Sequence, residues 1–408
     1  MSLVDGARLE HRTDVETPVP SKPVIRRLGR ARNIADLRLL AQRRLPRAIF
    51  DIIDGGSEDE LTLRENHDAF RRVRFAPKTL VDVASINTKI DLLGQASNLP
   101  IIVGPTGASG FVWPNGDLAL ARAAAKAGIP FTLSTSASVS IEEIAAAAQS
   151  RRWFQCYIFK QRDFTMRLIA RALQADYDAL IVTVDFPVGG NRERDHRNDF
   201  SVPFRYTPRN VMDFAIHPGW ALTMLRHGIP TLRNLDGFTA SNDAATLAST
   251  VGRNYDASFD WDGLKSIRDS WPRKLIVKGI VRQDDAARVV AMGADGLVVS
   301  NHGGRQLDGS VASLDALPAI AAAVKQRITV MVDGGIRRGS DVVKALALGA
   351  DAVLLGRSTL YGLSAGGETG AQRALEIIRS EMVRTMQLCG VADVKDIEPE
   401  ILFHRPLR

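Results

Sequence analysis

Residues 329–357 read Thr329-Val330-Met331-Val332-Asp333-Gly334-Gly335-Ile336-Arg337-Arg338-Gly339-Ser340-Asp341-Val342-Val343-Lys344-Ala345-Leu346-Ala347-Leu348-Gly349-Ala350-Asp351-Ala352-Val353-Leu354-Leu355-Gly356-Arg357. A β-branched apolar run ends in a glycine turn carrying an arginine. Ser340–Leu348 then has helical spacing. A second apolar run, Ala352–Gly356, ends in another Gly-Arg pair. Strand, turn, helix, strand is the repeating unit of a parallel sheet covered by helices.

The same alternation extends back along the chain. Apolar strand-like runs fall at Pro100–Gly104, Pro130–Ser134, Trp153–Ile158, Ala179–Asp185, Lys274–Lys278, Gly296–Ser300, Thr329–Asp333 and Ala352–Gly356. Ala-rich helical patterns fall at Asp117–Ala127, Ile141–Gln149, Phe164–Ala175, Asp284–Met292, Ser313–Val324 and Ser340–Leu348. Eight strands alternating with helices predict an α/β fold, a (β/α)8 TIM barrel starting near residue 99. A doubly wound sheet is the alternative. The even spacing and the two late Gly-Arg turns favour the barrel.

Two stretches stand outside the repeat. Residues 33–98 predict an N-terminal cap of helices with a small strand element. Residues 186–273 form a long insertion after the fourth strand, a length that usually carries function. It places Phe214, Trp220, Leu222, Met224 and Leu225 among Arg205, Arg209, Arg226 and Arg233. Residues 1–32 read as a basic tail, leaving 33–408 as one domain.

The chain has 408 residues, a net charge of +7, 45% hydrophobic and 24% charged content, so it can bury a large core. The positive charge permits weak attraction to anionic surfaces. No zinc spacing or RNA-binding aromatic signature accompanies it, which argues against metal and nucleic acid. The two cysteines, Cys156 and Cys389, offer no disulfide framework, and a reducing cytoplasm is expected. No apolar run is long enough to span a bilayer. No signal-peptide core is evident at the N-terminus.

Polar residues collect at the C-terminal ends of the strands, where barrels of this kind place their sites. After Gly296-Leu297-Val298-Val299 comes SNHGGRQLDG, residues 300–309. Its His302 and Arg305 are separated only by glycines, so both can reach one small volume. A histidine takes a proton, and an arginine holds a carboxylate by two parallel hydrogen bonds. That pairing suits proton removal beside a carboxylate, as oxidation of a 2-hydroxy acid requires. Gln155 and Tyr157 end the third strand, Thr183 and Asp185 the fourth, and Lys278 the fifth. Asp185 can orient an imidazole as a triad acid does. Taken singly, Arg337 or Arg357 would be read as a surface ion-pair residue. Two successive Gly-Arg turns instead suggest a phosphate site. Arg194 and His196 read as solvent-exposed.

SNHGGRQLDG, together with GPTG at 104–107, WPNGDLALARAAAKAGIPFTLST at 113–135, DGGIRRGSDVVKALALGA at 333–350 and LLGR at 354–357, resembles the FMN-dependent 2-hydroxy acid dehydrogenase and oxidase family. The similarity runs from about Leu45 to Leu388. The 104–135 stretch is nearest to the (S)-mandelate branch. HPGWALTML at 217–225 is nearer to the L-lactate branch. The resemblance implies FMN as cofactor and oxidation of an (S)-2-hydroxy acid, L-lactate or an aryl analogue, to a 2-oxo acid. It implies His302 as general base with Asp185 as its partner. Arg192 and Arg305 would bind the substrate carboxylate, Tyr157 would bond near the hydroxyl, and Lys278 would lie by the flavin N1–C2=O edge. Flavin contacts would come from Pro105, Thr106, Gly107, Ser134, Gln155, Thr183, Lys278 and Ser300. The phosphate would sit on Asp333, Gly335, Arg337, Gly356 and Arg357.

Electrons would pass to a quinone or other carrier rather than preferentially to oxygen. Gly107 stands where many oxidases of the family carry alanine. A peroxide-forming oxidase is the nearer alternative. A phosphate-binding barrel without redox chemistry and a barrel that has lost catalysis are more distant ones. The composition of 210–232 equally suits a lid packed on the barrel and a segment lying on the inner membrane face. A homo-oligomer, a tetramer by analogy, is implied. Two positions depart from the family. Ile52 stands where a tyrosine usually reaches the substrate carboxylate, and Ser136 stands where glycolate oxidases carry tryptophan. Both changes suit a larger apolar substrate.

Overall fold

The computed structural model describes residues 17–149, 151–198, 207–236, 238, 254–324 and 326–403. Four helices come first: α1 Lys22–Arg30, α2 Ile34–Arg44, α3 Arg47–Asp54 and α4 Leu61–Arg72. A short antiparallel pair follows, β1 Ile90–Leu92 and β2 Gln95–Ser97. Then come the eight parallel strands of a closed barrel: β3 Ile101–Val103, β4 Phe131–Ser134, β5 Arg152–Cys156, β6 Ala179–Thr183, β7 Lys274–Ile280, β8 Gly296–Val299, β9 Thr329–Val332 and β10 Ala352–Leu355. Their order around the barrel is sequential, and β10 closes onto β3. The (β/α)8 expectation holds over every barrel strand read from the sequence.

These strands form because both their faces are covered. Most show unbroken burial, as in Phe131–Ser134, Ala179–Thr183 and Gly296–Val299. Continuous apolar runs are what a parallel sheet wrapped by helices demands. Inside the lower barrel, Ile102, Trp153, Ile181, Ile276, Val298, Met331 and Leu354 pack with Leu92 of β1. The β1–β2 hairpin therefore stoppers the base. Between barrel and helices lies the larger core, which includes Phe154, Tyr177, Leu317 and Ile378.

Local signals place the helices. Helix α5, Gly116–Ala127, ends at Gly128 in the left-handed region. Helix α6, Ile141–Ala147, starts with a capping box in which Ser140 and Glu143 each satisfy the other's backbone N–H. The last helix, Arg357–Cys389, breaks at Gly366 and Gly367. It folds closely enough that a Cβ on Gly370 would lie 1.9 Å from the Gly362 carbonyl oxygen.

The N-terminal stretch is not wholly a tail. Residues 1–16 lie outside the described residues. Helix α1 follows, with Leu28 buried against Gly366. Its charged residues hid that one apolar anchor from a reading of composition. In the insertion, Arg205, the Arg209 side chain and 239–253 also lie outside the described residues. The rest includes α7's successor α8, Glu193–Arg197, with α7 itself at Arg162–Gln174, and then α9 Pro208–Ile216 and α10 Pro218–His227. Trp220 and Met224 of α10 are buried, and the Trp220 indole donates to the Phe111 carbonyl over the barrel mouth at 2.8 Å.

Candidate active site

The turn after β8 puts His302 at the centre of the mouth. Its backbone lies at φ +59°, a left-handed conformation uncommon for a residue with a side chain. The Ser300 hydroxyl stabilises the turn by accepting the His302 N–H at 3.1 Å. His302 Nδ1 lies 3.0 Å from Asp185 Oδ1, and Nε2 lies 3.2 Å from the Tyr157 hydroxyl. A carboxylate only accepts, so this network assigns the proton to Nδ1 and makes Nε2, on the cavity side, the acceptor of the Tyr157 hydroxyl. Burial pushes the His302 pKa below its ordinary value, and Asp185 only partly offsets this. The imidazole is thus a free base at neutral pH. Burial opposes ionisation of Asp185, but His302 and Lys278 outweigh it and hold the carboxyl below its usual range. Burial and the Asp185 charge push the Tyr157 phenol up, so it stays a donor.

Above this dyad the arginines are held by the cap. Arg305 donates from Nη1 to the Ile52 and Gly55 carbonyls at 2.6 and 3.0 Å. Arg357 donates to Ile53, Gly303 and Gly55 carbonyls at 3.0, 2.7 and 2.7 Å. The end of α3 leaves carbonyls unsatisfied, and two guanidinium groups satisfy them. Burial, with Arg192 and Arg357 nearby, pushes the Arg305 pKa down to about 9. Arg192 begins α8 and lies 3.9 Å from Asp195.

The floor is polar and ordered. Gln155 donates from Nε2 to the Thr183 hydroxyl at 2.9 Å, and its Oε1 accepts from the Ser134 hydroxyl at 3.2 Å. Buried Lys278 bonds Ser300 Oγ at 2.7 Å and pairs with Asp333 Oδ2 at 2.9 Å. Burial lowers the Lys278 pKa, but Asp333 and Asp185 more than restore it. Asp333 Oδ1 and Asp185 Oδ2 are buried with no hydrogen-bond partner.

A cavity of about 360 Å³ joins these groups. Pro105, Thr106, Gly107, Ser134, Gln155, Tyr157, Thr183, Arg192, Lys278, His302, Arg305, Asp333, Gly335, Arg337, Gly356 and Arg357 all line it. Two sequence-derived positions do not reach the wall: Ser300 lies beneath Lys278, and Asp185 behind His302. Arg194 is not simply solvated either. It pairs with Asp51, Asp54 and Glu60, tying α8 to the cap. Ile52 lines the cavity, and its carbonyl holds Arg305. Sequence reading missed Tyr255, whose ring lies 5.1 Å from Tyr157 and 4.6 Å from Phe186.

The cavity fits FMN on three counts. Arg192, Lys278, Arg305, Arg337 and Arg357 face only Asp195 and Asp333 among the lining residues, an excess of positive charge suited to a phosphate and a carboxylate. Gly334 and Gly335 sit at φ +93° and +84°, where a turn can present backbone N–H groups to a phosphate. Gln155, Lys278 and Thr183 supply donors and acceptors for the edge of a flat heteroaromatic ring.

Residues 41–404 match the FMN-dependent dehydrogenase family. The chain is 45% identical to (S)-mandelate dehydrogenase of Pseudomonas putida, over 91% of this chain and 93% of that protein. It is 42% identical to L-lactate dehydrogenase of Caulobacter vibrioides, over 91% and 97%. A crystal structure of the monotopic membrane protein (S)-mandelate dehydrogenase superposes with a TM-score of 0.89 at 44% identity, covering 92% of this chain and all of that one. A mandelate oxidase bound to (S)-4-hydroxymandelic acid superposes with a TM-score of 0.79 at 37% identity, covering 91% and 98%. With its barrel, its cationic mouth and this similarity along nine-tenths of its length, the chain belongs to the FMN-dependent 2-hydroxy acid dehydrogenase family, oxidoreductases that act on a CH–OH group.

Proposed function

We propose that this enzyme oxidises an (S)-2-hydroxy acid with an apolar or aromatic side chain, such as (S)-mandelate, and passes the electrons to a carrier at a membrane surface. The observation that carries the chemistry is His302 Nε2 facing the cavity with Nδ1 fixed on Asp185. FMN supplies the two-electron acceptor. His302 accepts the proton released from the CH–OH group, and Asp185 stabilises the imidazolium that results. Arg305 and Arg192 hold the substrate carboxylate, and Tyr157 donates to the substrate hydroxyl oxygen. Lys278 places positive charge beside the ring edge where negative charge develops. Gly335, Arg337, Gly356 and Arg357 hold the flavin phosphate. Pro105, Thr106, Gly107, Ser134, Gln155, Thr183 and Ser300 shape its bed.

Side-chain preference follows from the wall. Ile52, Phe186, Leu232 and Tyr255 line the cavity, and Ser136 leaves space. The test is anaerobic flavin bleaching by (S)-mandelate, L-lactate and glycolate. Mandelate is expected to bleach fastest, and bleaching fastest with glycolate would overturn the substrate assignment. Slow reoxidation by air, with fast reoxidation by a quinone, is the expected acceptor pattern. Oxygen consumption that keeps pace with substrate oxidation would make it an oxidase.

The membrane contact rests on α9 and α10. Val211, Met212, Ile216, Leu222 and Leu225 are exposed on them, with Ile229 just beyond α10 and Arg226 beside Leu225, while Trp220 and Met224 fasten the segment to the barrel. Exposed apolar side chains with Arg226 beside them suit the surface of an anionic bilayer. No helix among the described residues is long and apolar enough to cross a membrane. The assembly proposed is a homotetramer on the cytoplasmic face, which light scattering and cell fractionation check.

A further inference from the structure

Helix α8 has Arg192 at its start and reads Glu-Arg-Asp-His-Arg, with no apolar side chain and no buried residue. Five residues are too few for a helix to sustain itself in water. Apolar packing cannot seat it either, so polar contacts must. Two tie its flanks. The Glu58 N–H donates to the Asn191 carbonyl at 2.9 Å, and Asn198 Nδ2 donates to Asp51 Oδ2 at 2.7 Å. Between these ties, Arg194 fastens the helix itself. Its Nη1 lies 3.6 Å from Asp51 Oδ1 and 3.4 Å from Asp54 Oδ2, and its Nη2 bonds Glu60. The pair of Glu193 with Arg197 lies within α8 and anchors it to no other element.

The three carboxylates that receive Arg194 are themselves fixed. Asp54 accepts Arg38 Nε at 2.6 Å and the Tyr361 hydroxyl at 2.7 Å. Glu60 Oε1 accepts the Gly56 N–H at 2.8 Å, and Asp51 also lies 3.5 Å from Arg47. The same stretch, residues 51–60, gives its Ile52 and Gly55 carbonyls to Arg305. A Cβ on Gly55 would lie 3.2 Å from Arg194 Cδ, so the Arg194 stem runs over the residue whose carbonyl Arg305 holds. One strip of chain is thus gripped by Arg305 through its backbone and by Arg194 through its side chains. Arg192 is held differently. Among the described residues its ion pair is with Asp195 at 3.9 Å, a long contact to a residue of the same helix. Asp195 moves with α8, so the place of the Arg192 guanidinium in the mouth is set by where α8 is seated.

We propose that Arg194 is a positioning residue for the substrate carboxylate, fixing the spacing across the mouth between Arg192, on its own helix, and Arg305, on the strip it grips. Arg194 is not among the residues that line the mouth, so it acts through the other two. The inference rests on Arg192 and Arg305 as the carboxylate-holding pair of the proposed function. Two guanidinium groups share one carboxylate only at the right separation. A carboxylate is held alike before and during the reaction, so a misplaced arginine raises KM more than it lowers kcat.

The test is steady-state kinetics of the FMN-loaded enzyme with the hydroxy acid that bleaches its flavin fastest. Arg194→Gln should raise KM by about fivefold or more, with kcat within about twofold and flavin absorbance unchanged. The inhibition constant of the 2-oxo acid product reads carboxylate binding without turnover and should rise in parallel. Arg194→Lys keeps the charge without the fork and should fall between parent and Arg194→Gln. Arg197→Ala, on the exposed side of the same helix, should behave like the parent. A double-mutant cycle separates positioning from general support of the fold. Arg192→Met should raise KM by itself, and adding Arg194→Gln should then raise it by less than about twofold, because the group it positions is gone. Fully additive effects, an unchanged KM in Arg194→Gln, or loss of FMN from both Arg194 variants would overturn the proposal. A raised KM in Arg192→Met with none in Arg194→Gln removes the positioning role alone. An Arg192→Met that leaves KM and product inhibition unchanged removes the carboxylate role of Arg192, and the positioning role with it.

Discussion

Gly279 lies so close beneath Asp185 that a Cβ on it would sit 2.6 Å from the Asp185 Cβ and 2.8 Å from its Cγ. Gly279 has φ +110° and occupies the register shift between Lys278 and Ile280 in β7. The shift sets Lys278 in the mouth, and the missing side chain leaves Asp185 room to meet His302. Gly279→Ala should therefore displace Asp185 as well as strain the backbone, about 1–3 kcal/mol for the strain alone. We expect kcat to fall at least tenfold with FMN still bound. Unchanged kcat and an unchanged pH profile would show that the Asp185–His302 geometry does not depend on this glycine.

His302→Gln removes the proposed base and keeps a side chain of similar reach. Flavin should remain bound, while its reduction by substrate should slow by about 10²–10⁴-fold. Anaerobic single-turnover absorbance reads both quantities in one experiment. Near-normal reduction would refute the role.

The pH dependence has a definite sign. Burial favours neutral His302, so the base stays unprotonated below the ordinary histidine pKa of about 6.5. The acid limb of kcat/KM should therefore have its midpoint below that value. Asp185 opposes this depression. Asp185→Asn should move the limb to still lower pH while lowering the plateau. A limb that moves upward in the variant would contradict the assigned causes.

Ile52→Tyr supplies a hydroxyl to a wall that has none at this position. The Ile52 carbonyl that holds Arg305 is backbone, so the substitution should leave the arginine in place. One hydrogen bond to a charged acceptor is worth about 1.5–3 kcal/mol, which is roughly tenfold or more in affinity for L-lactate or glycolate. Affinity for mandelate should fall or stay level. Unchanged KM for small substrates would show that position 52 does not reach the carboxylate.

Leu225, on α10, is 82% exposed, and Ile216, on α9, is 69% exposed. Leu225→Glu and Ile216→Asp together should move the enzyme from the membrane to the soluble fraction and leave dye-coupled turnover within about twofold. Persistent sedimentation with membranes would favour the lid reading of this segment.

How much was legible in the sequence differed by element. The barrel strands were, because a strand covered on both faces must be an apolar run, as Leu297–Val299 is. His302 and Arg305 were, because glycines isolate them after a strand. Helix α1 was not, since its short inward stripe of Val24, Leu28 and Ala31 sits among basic residues. Arg194 read as solvated because its partners Asp51, Asp54 and Glu60 come from the cap, over a hundred residues away. Tyr255 and the tilted ring contact that brings it to Tyr157 depend on how the insertion folds back, which no local spacing encodes.

The hairpin plug at the base has a kinetic meaning. With Leu92 wedged among Ile102, Trp153 and Leu354, the described residues close the barrel from below. Under the proposed function, fuel and electron carrier then share the doorway lined by Phe111, the residue to which Trp220 is fastened. On that reading the enzyme works in shifts: the oxo acid departs before the electron carrier arrives. An acceptor that enters early becomes a competitor of the fuel, and crowding at that doorway is the ceiling on throughput.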